Sequence, residues 1–476
     1  MRSPIGLALA AAVAIGATGC SSDELTGLNR NPNSPVEATP DYLLANGIEA
    51  SVSRVFGSGL HMDITGLWVQ HFAEHRFSTE DRYTLSDASV SGHWSSFYAG
   101  PLQDFQETIG LAVEGERPNA MAQGLIMRTW TYQVVTDLWG DVGYTEALRG
   151  REPGSGNTPA FDPQQQVYTG MLTDLRTAHD AIVAGGREVT TGDILYGGNT
   201  DRWKRFANSL QLRLAMRLSG VAEETARAKF QEALTAGVFT GNADNAVLRY
   251  IEGGNNVSPI FAYERSRDDH SVSATIIDTL KSLSDPRLPV YAKPTASGTY
   301  VGMKNGSTTQ PALTAISKIG AYFADADAPA LLMTYAEVLF LQAEAAERGW
   351  ITADAATLYR DAIRASMELM GVTKANIDAY LEQPRVQYQG GAEGLRQIGL
   401  QKWLALYGNS VEAYAEWRRT GFPALTAGPD ALNDKRIPVR LPYPAREQSL
   451  NGANLEAAIE RQGGASLNDP VWWGRK

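Results

Sequence analysis

The 476-residue chain contains a single cysteine, Cys20. A disulfide within the chain is therefore impossible, and a cysteine-based metal cluster is excluded as well. The net charge is −11, so the chain lacks the surplus of Lys and Arg with which proteins bind nucleic acids or anionic surfaces. It also lacks a Gly-x-Ser-x-Gly elbow, a phosphate-binding loop and a Gly-x-Gly-x-x-Gly motif. We therefore expect a protein that is not an enzyme, that needs no cofactor and that has no nucleic-acid partner.

The apolar run at residues 5–19 is shorter than the roughly 20 residues that a membrane-spanning helix needs. It follows Arg2 and has the length of the apolar core of a secretory signal. The run ends in Ala-Thr-Gly before Cys20, and small residues before a cysteine resemble a lipobox. We therefore predict a signal peptide at residues 1–19, a tether at residues 20–40 lipidated on Cys20, and one domain at residues 41–476. The lipid would be the only contact with the membrane.

The rest of the sequence has mainly helical periodicity. Ile126, Trp130, Val134 and Leu138 recur at every fourth position and form one apolar stripe. Similar patterns predict helices at residues 206–218, 331–348, 358–370, 395–407 and 411–419. Long segments rich in Gly, Pro, Asn and Ser separate these helices, and strand-like runs are short, as at residues 436–442. The sequence thus predicts an all-α protein with paired helices, long irregular loop insertions and few short strands.

Several motifs, in order along the chain, resemble the SusD/RagB family of outer-membrane nutrient-binding lipoproteins, particularly its SusD-like branch. The motifs include NPNSP at residues 31–35, DLWGDVGY at 137–144, WKRFANSL at 203–210, WRRTG at 417–421 and RLPYP at 440–444. The resemblance covers the chain from the lipobox to about residue 455.

The resemblance implies tetratricopeptide-like helix pairs and a lipid-anchored position on the outer membrane, exposed at the cell surface. It also implies that the protein binds oligosaccharides or peptides without turnover. The partner would be a SusC-like TonB-dependent transporter, to which the protein delivers these nutrients.

The aromatic stretch at residues 68–98 is the leading candidate for ligand contact, because sugar binding requires flat apolar rings beside polar groups. A second polar-aromatic loop follows near residue 265. The predicted ligand-binding residues in these two segments are Trp68, His71, His75, Tyr83, Trp94, Tyr263 and Arg265. An equally simple interpretation is that Trp68 and Trp94 pack the N-terminal helices.

Two alternative functions remain open at this stage. The first is a zinc metallopeptidase, because His71-x-x-Glu74-His75 matches the inverted zinc-peptidase motif. On a helix, positions i and i+4 would put His71 and His75 on one face as zinc ligands, with Glu74 as the base. The second alternative is a structural helical-repeat scaffold that binds no small ligand. Our main prediction includes no metal.

Overall fold

The computed structural model describes residues 38–475, except residues 77, 151, 153, 155, 184–190 and 255. The predicted signal peptide, Cys20 and nearly all of the predicted tether lie outside the described residues. Residues from Pro40 onward form one unit by their contacts. In this described part of the chain, no helix has both the length and the apolar character needed to cross a bilayer.

The helices of the first half are α1 (Pro40–Val55), α2 (Asp87–Phe97), α3 (Gln103–Glu114), α4 (Pro118–Trp139), α5 (Gln164–Ala181), α6 (Thr200–Arg217) and α7 (Glu223–Ala236). Those of the second half are α8 (Pro259–Ser266), α9 (Ala274–Ser282), α10 (Leu288–Tyr291), α11 (Ala321–Ala324), α12 (Tyr335–Glu347), α13 (Ala355–Leu369), α14 (Lys374–Leu381), α15 (Gly391–Ala405), α16 (Ser410–Thr420), α17 (Ala445–Leu450) and α18 (Gly452–Gln462). Wider π-type turns occupy Ser58–Gly66 and Tyr98–Leu102, and 3₁₀ turns occupy Leu218–Gly220, Asn242–Asp244, Leu313–Ala315 and Trp472–Gly474.

Helix α4 lies at the centre of the N-terminal half. It begins with Pro118, whose fixed φ suits the first helical position, and it ends at Gly140, which has a φ of 86°. The predicted stripe, Ile126 to Leu138, is buried as expected, but nearly every other side chain of α4 is buried too. The reason is that α1, α3, α5 and α6 all pack against α4, so the helix has almost no solvent-facing side.

Consecutive helices pack against one another as pairs. The most extensive of these contacts are α3 with α4, α4 with α5, α6 with α7, and α12 with α13, followed by α5 with α6. Side chains at helical spacing interlock between such neighbours and bury the apolar stripes. This arrangement confirms the predicted all-α fold with tetratricopeptide-like helix pairs.

The strands are short and pair antiparallel in two small sheets. β1 (Phe72–Glu74) pairs with β3 (His270–Val272), and β2 (Ala246–Arg249) pairs with β4 (Pro329–Met333). β4 corrects the prediction of one helix from residue 331 to 348, because residues 329–333 form a ladder with β2 and the helix begins only at Tyr335. The apolar run there carried no signal for its distant strand partner.

The predicted strand-like run at residues 436–442 is not a strand. Pro438 and Pro442 have no N–H to donate, and Val439 and Leu441 donate to the isolated carbonyls of Leu467 and Leu138 instead of to a neighbouring strand. This segment therefore packs as irregular chain along the end of α4.

Candidate ligand-binding cleft

Helix α2 supplies the central aromatic side chain of the site. Ser86 caps the helix by accepting a hydrogen bond from the Ser89 N–H, and Trp94 lies on the buried face. The Trp94 ring stacks on Phe161 with a centroid distance of 5.9 Å and an interplanar angle of 18°. It also contacts the ring of Tyr98 at 5.2 Å. These ring contacts hold the Trp94 side chain in one orientation without a bound ligand.

The Trp94 indole also makes a polar contact, because its Nε1–H donates to Glu447 Oε1 at 3.0 Å. Glu447 lies on α17, and this hydrogen bond ties α2 to the C-terminal part of the chain. Burial raises the pKa of the Glu447 carboxyl, and the hydrogen bond from Trp94 lowers it in part. The carboxylate thus orients the indole and remains at the edge of the site.

Trp94 retains 7% of its surface, and it lines a cleft of about 460 Å³. Tyr98 and Phe161 join it as the aromatic part of the lining. A second depression of about 650 Å³ shares Ala147, Leu148 and Arg149 with the first. The two depressions therefore adjoin at residues 147–149.

The rim of the cleft is polar and of mixed charge. The polar and charged lining residues are Ser91, Ser95, Gln103, Glu146, Arg149, Asn157, Arg446, Glu447 and Asn451. Two of these are acidic and two are basic, so neither sign of charge dominates among the described lining residues. Leu450 on α17 lines the same cleft and is 60% exposed. Aromatic rings beside polar groups of balanced charge suit uncharged, hydroxyl-rich ligands better than ions.

A family profile described as "Starch-binding associating with outer membrane" matches residues 32–444. The chain belongs to this SusD-like family. The confirmed resemblance makes it a nutrient-binding protein of the cell surface, and members of the family bind carbohydrate rather than transform it.

Solved structures of SusD-like proteins superpose over almost the whole chain. One is a chitin-binding protein with 28% sequence identity and a TM-score of 0.83, covering 92% of this chain and 100% of its own. A SusD homologue from Bacteroides fragilis has 26% identity and a TM-score of 0.78, with coverage of 92% and 100%. A SusD-like protein from Bacteroidetes has 25% identity and a TM-score of 0.81, again with coverage of 92% and 100%. No curated protein matches the chain.

Three of the predicted ligand-binding residues lie in the interior of this SusD-like domain. Trp68 is fully buried and packs edge-on against Tyr414 at 5.3 Å. His71 is also fully buried, and Tyr83 is nearly so. Their positions argue against direct contact with a ligand, and we assign all three residues to the core. Trp94 alone among the seven predicted residues lines the cleft.

The remaining predicted residues lie around β1 and β3. The backbone N–H of His75 donates to the Asp269 carbonyl at 2.7 Å, and the Tyr263 hydroxyl donates to Asp269 Oδ2 at 3.3 Å. Arg265 is exposed on α8, with its guanidinium 5.6 Å from the centre of the Phe261 ring. The structure thus brings His75 and Tyr263 together, although not at the Trp94 cleft.

The helix on which the zinc-peptidase alternative depends is not formed, because residues 72–74 form strand β1. The side chain of His71 packs between the rings of Trp403 and Tyr407, and its Nε2 lies 3.2 Å from the Trp403 carbonyl oxygen. Burial, and then the charge of His61, lowers the pKa of His71 to about 3. This correction removes the shared helix face on which a His71–His75 zinc pair depends.

Sequence reasoning did not identify Phe161, Glu447 and Leu450 as residues of the site. Trp94 and Glu447 are 353 positions apart, so no local pattern connects them. The nearest family motif, RLPYP at residues 440–444, ends before Glu447 and does not show that this segment meets Trp94.

Proposed function

We propose that this protein captures neutral oligosaccharides in the Trp94 cleft and releases them unchanged to a SusC-like TonB-dependent transporter. The observation that carries the proposal is the cleft itself, in which Trp94, Tyr98 and Phe161 meet a polar rim of balanced charge. Aromatic rings pack against the C–H faces of sugars, while amides, carboxylates and guanidinium groups bind hydroxyls. The adjoining depression extends the surface for further sugar units.

Chitin-type oligosaccharides are the first ligands to test. A relative that is 28% identical is a chitin-binding protein, and the exposed Leu450 offers apolar contact for the methyl of an N-acetyl group. Starch-type glucose oligomers are the second class, because the family description names starch. Peptides are the third ligand class that a SusD-like protein is expected to carry.

The anchoring part of the proposal rests on Cys20, which follows the apolar leader. Lipidation there would hold the domain at the outer membrane, close to the transporter that receives its ligand. Replacing Cys20 by Ser should move the protein from the membrane fraction to the soluble fraction. Unchanged membrane association in that variant would refute the anchor.

Isothermal titration calorimetry with N-acetylglucosamine oligomers, glucose oligomers and mixed peptides tests the capture proposal. Trp94→Ala removes the central ring and should weaken oligosaccharide binding about tenfold or more, a loss of about 1.4 kcal/mol. Mass spectrometry of the ligands after incubation should find them intact.

Leu450→Ala and Leu432→Ala form a matched pair that separates binding from stability. The two leucines are 60% and 56% exposed, but Leu450 lines the cleft and Leu432 does not. We expect a severalfold loss of affinity for N-acetylated oligomers in Leu450→Ala and none in Leu432→Ala. If Leu450→Ala, Leu432→Ala and Trp94→Ala all bound oligosaccharides as tightly as the unsubstituted protein, the binding site would lie elsewhere. Shortened ligands would refute capture without turnover.

A further inference from the structure

Three side chains from separate segments converge beside the β1–β3 sheet. Asp63 comes from the turn Ser58–Gly66, Glu74 from β1 and His270 from β3. The register pairs Glu74 directly with His270, and paired residues of an antiparallel ladder project their side chains from the same face. His270 Nε2 lies 3.0 Å from Asp63 Oδ1 and 3.5 Å from Glu74 Oε1. One potential ligand atom from each residue lies within 4.8 Å of the other two.

The imidazole of His270 is the unusual member of this cluster. It is only 1% exposed, and neither ring nitrogen makes a hydrogen bond with good geometry to any other described residue. The short approach of Nε2 to Asp63 has the distance of an ion pair but not the angles of a hydrogen bond. Buried polar groups in folded proteins nearly always have a partner. Because Nε2 faces two carboxyl groups without such a hydrogen bond, we infer that a binding partner of this nitrogen is missing.

The electrostatic environment of the cluster favours a cation. The carboxyl groups of Asp63 and Glu74 both face the His270 imidazole, and a third carboxyl group, that of Asp81, accepts a hydrogen bond from the Glu74 backbone N–H at 3.3 Å. A divalent ion would offset the repulsion among these neighbouring carboxyl groups. The Asp63 side chain is 29% exposed, so the cluster has a route from solvent.

We propose that Asp63, Glu74 and His270 bind one divalent transition-metal ion of the zinc class. Ligands at about 2.1 Å in a tetrahedral site are separated by roughly 3.4 Å, close to the two distances from His270 Nε2. A neutral imidazole suits zinc and its neighbours, whereas calcium and magnesium prefer oxygen ligands alone. Three protein ligands leave a further position for water from the side of Asp63.

This site differs from the zinc pair considered in the sequence, because neither His71 nor His75 belongs to it, and it replaces our expectation of no metal. The ion would join the turn Ser58–Gly66 to both strands of the β1–β3 sheet. The site shares no residue with the Trp94 cleft, so the test of metal binding does not depend on whether the protein captures oligosaccharides.

Metal binding can be measured directly on the purified full-length protein. After treatment with a chelator and dialysis, the protein is incubated with Zn²⁺, with Mn²⁺ or with Ca²⁺, and bound metal is determined by plasma mass spectrometry. We expect one Zn²⁺ per chain, together with an upward shift of the Tm at saturating Zn²⁺. His270→Gln should abolish stoichiometric binding, and Asp63→Asn should weaken it by about tenfold or more.

Asp268→Asn is the matched control, because Asp268 is an exposed carboxylate two positions from His270 and lies outside the cluster. It removes one negative charge, as Asp63→Asn does, and should retain full Zn²⁺ binding. Because Asp63 is partly exposed, Asp63→Asn should fold even if His270→Gln does not, and metal binding can then be tested on Asp63→Asn alone. Absence of bound Zn²⁺, equal binding in Asp63→Asn and Asp268→Asn, or binding of Ca²⁺ alone would overturn the proposal. The cluster would then be a polar contact of the core that holds no metal, or a calcium site formed by the two carboxylates.

Discussion

Arg217 at the end of α6 provides the sharpest test of how the interior of this protein is held together. Its guanidinium is fully buried and has three carboxylate partners. Nη2 lies 2.6 Å from Glu412 Oε1, Nη1 lies 2.6 Å from Glu416 Oε1, and Nε lies 3.4 Å from Asp137 Oδ2. Burial disfavours the charge on Arg217, but these carboxylates raise its pKa well above the usual value. The group therefore stays charged in the core.

Replacing Arg217 by Met removes the cation and leaves its partners buried. Glu416 keeps Lys402 at 3.0 Å and Arg419 at 2.8 Å, and Glu412 keeps Arg213 at 3.7 Å. Removing one member of a buried ion pair costs about 3–5 kcal/mol, because the remaining charge is uncompensated. The surviving partners favour the lower half of that range, so we expect the free energy of unfolding to fall by about 3–4 kcal/mol.

Urea denaturation of both proteins, followed by circular dichroism, measures this loss as a lower midpoint at an unchanged slope. The control is Arg360→Met, because Arg360 forms a largely exposed ion pair with Glu382 at 3.3 Å. An exposed pair contributes at most about 1 kcal/mol. If Arg217→Met cost no more than Arg360→Met, the reasoning about buried compensation in this network would be refuted.

Two further predictions concern residues first considered as ligand contacts. Trp68→Ala should lower the free energy of unfolding by about 3–5 kcal/mol, because the ring is fully buried. The oligosaccharide affinity of the folded variant should not change. A loss of affinity at unchanged stability would instead place Trp68 in the binding site. For His71, whose pKa is lowered to about 3, the unfolded chain binds more protons than the folded chain between about pH 3 and 6.5. Stability should therefore fall as the pH drops through that window, by up to about 1.4 kcal/mol per pH unit from this residue. His71→Gln should flatten the dependence of the urea midpoint on pH between about 4.5 and 6.5, and parallel curves would contradict the assignment.

The helices that could be predicted from the sequence are those whose signal is local. The stripe from Ile126 to Leu138 predicted α4, and the patterns at residues 358–370 and 411–419 predicted α13 and α16. Helical periodicity depends on neighbours three and four positions away, and these are present in any short window of sequence. The end of α4 at Gly140 is likewise a local event at a single residue.

The candidate site could be predicted only in part, because its members meet through the fold. Trp68 and Trp94 both lie in the aromatic stretch, but helix packing buries the first completely and leaves the second beside a cleft. A tryptophan suits a core and a sugar site equally well, so residue type alone does not distinguish these positions. The motif His71-x-x-Glu74-His75 could not be judged from the sequence for the same reason, because the zinc-peptidase alternative required a helix where the chain forms strand β1 and pairs with β3.

By itself, the sequence determined the helix-rich fold, the single cysteine after an apolar run, the acidic charge and the motifs that mark a SusD-like chain. Tertiary structure decided which aromatic rings are buried, where Trp94 meets Glu447, and how His270 reaches Asp63 and Glu74. The physical reason is the range of the interactions. Helix propensity and periodicity act within a few residues, whereas a cleft or a cluster of ligands forms only when segments hundreds of positions apart pack together.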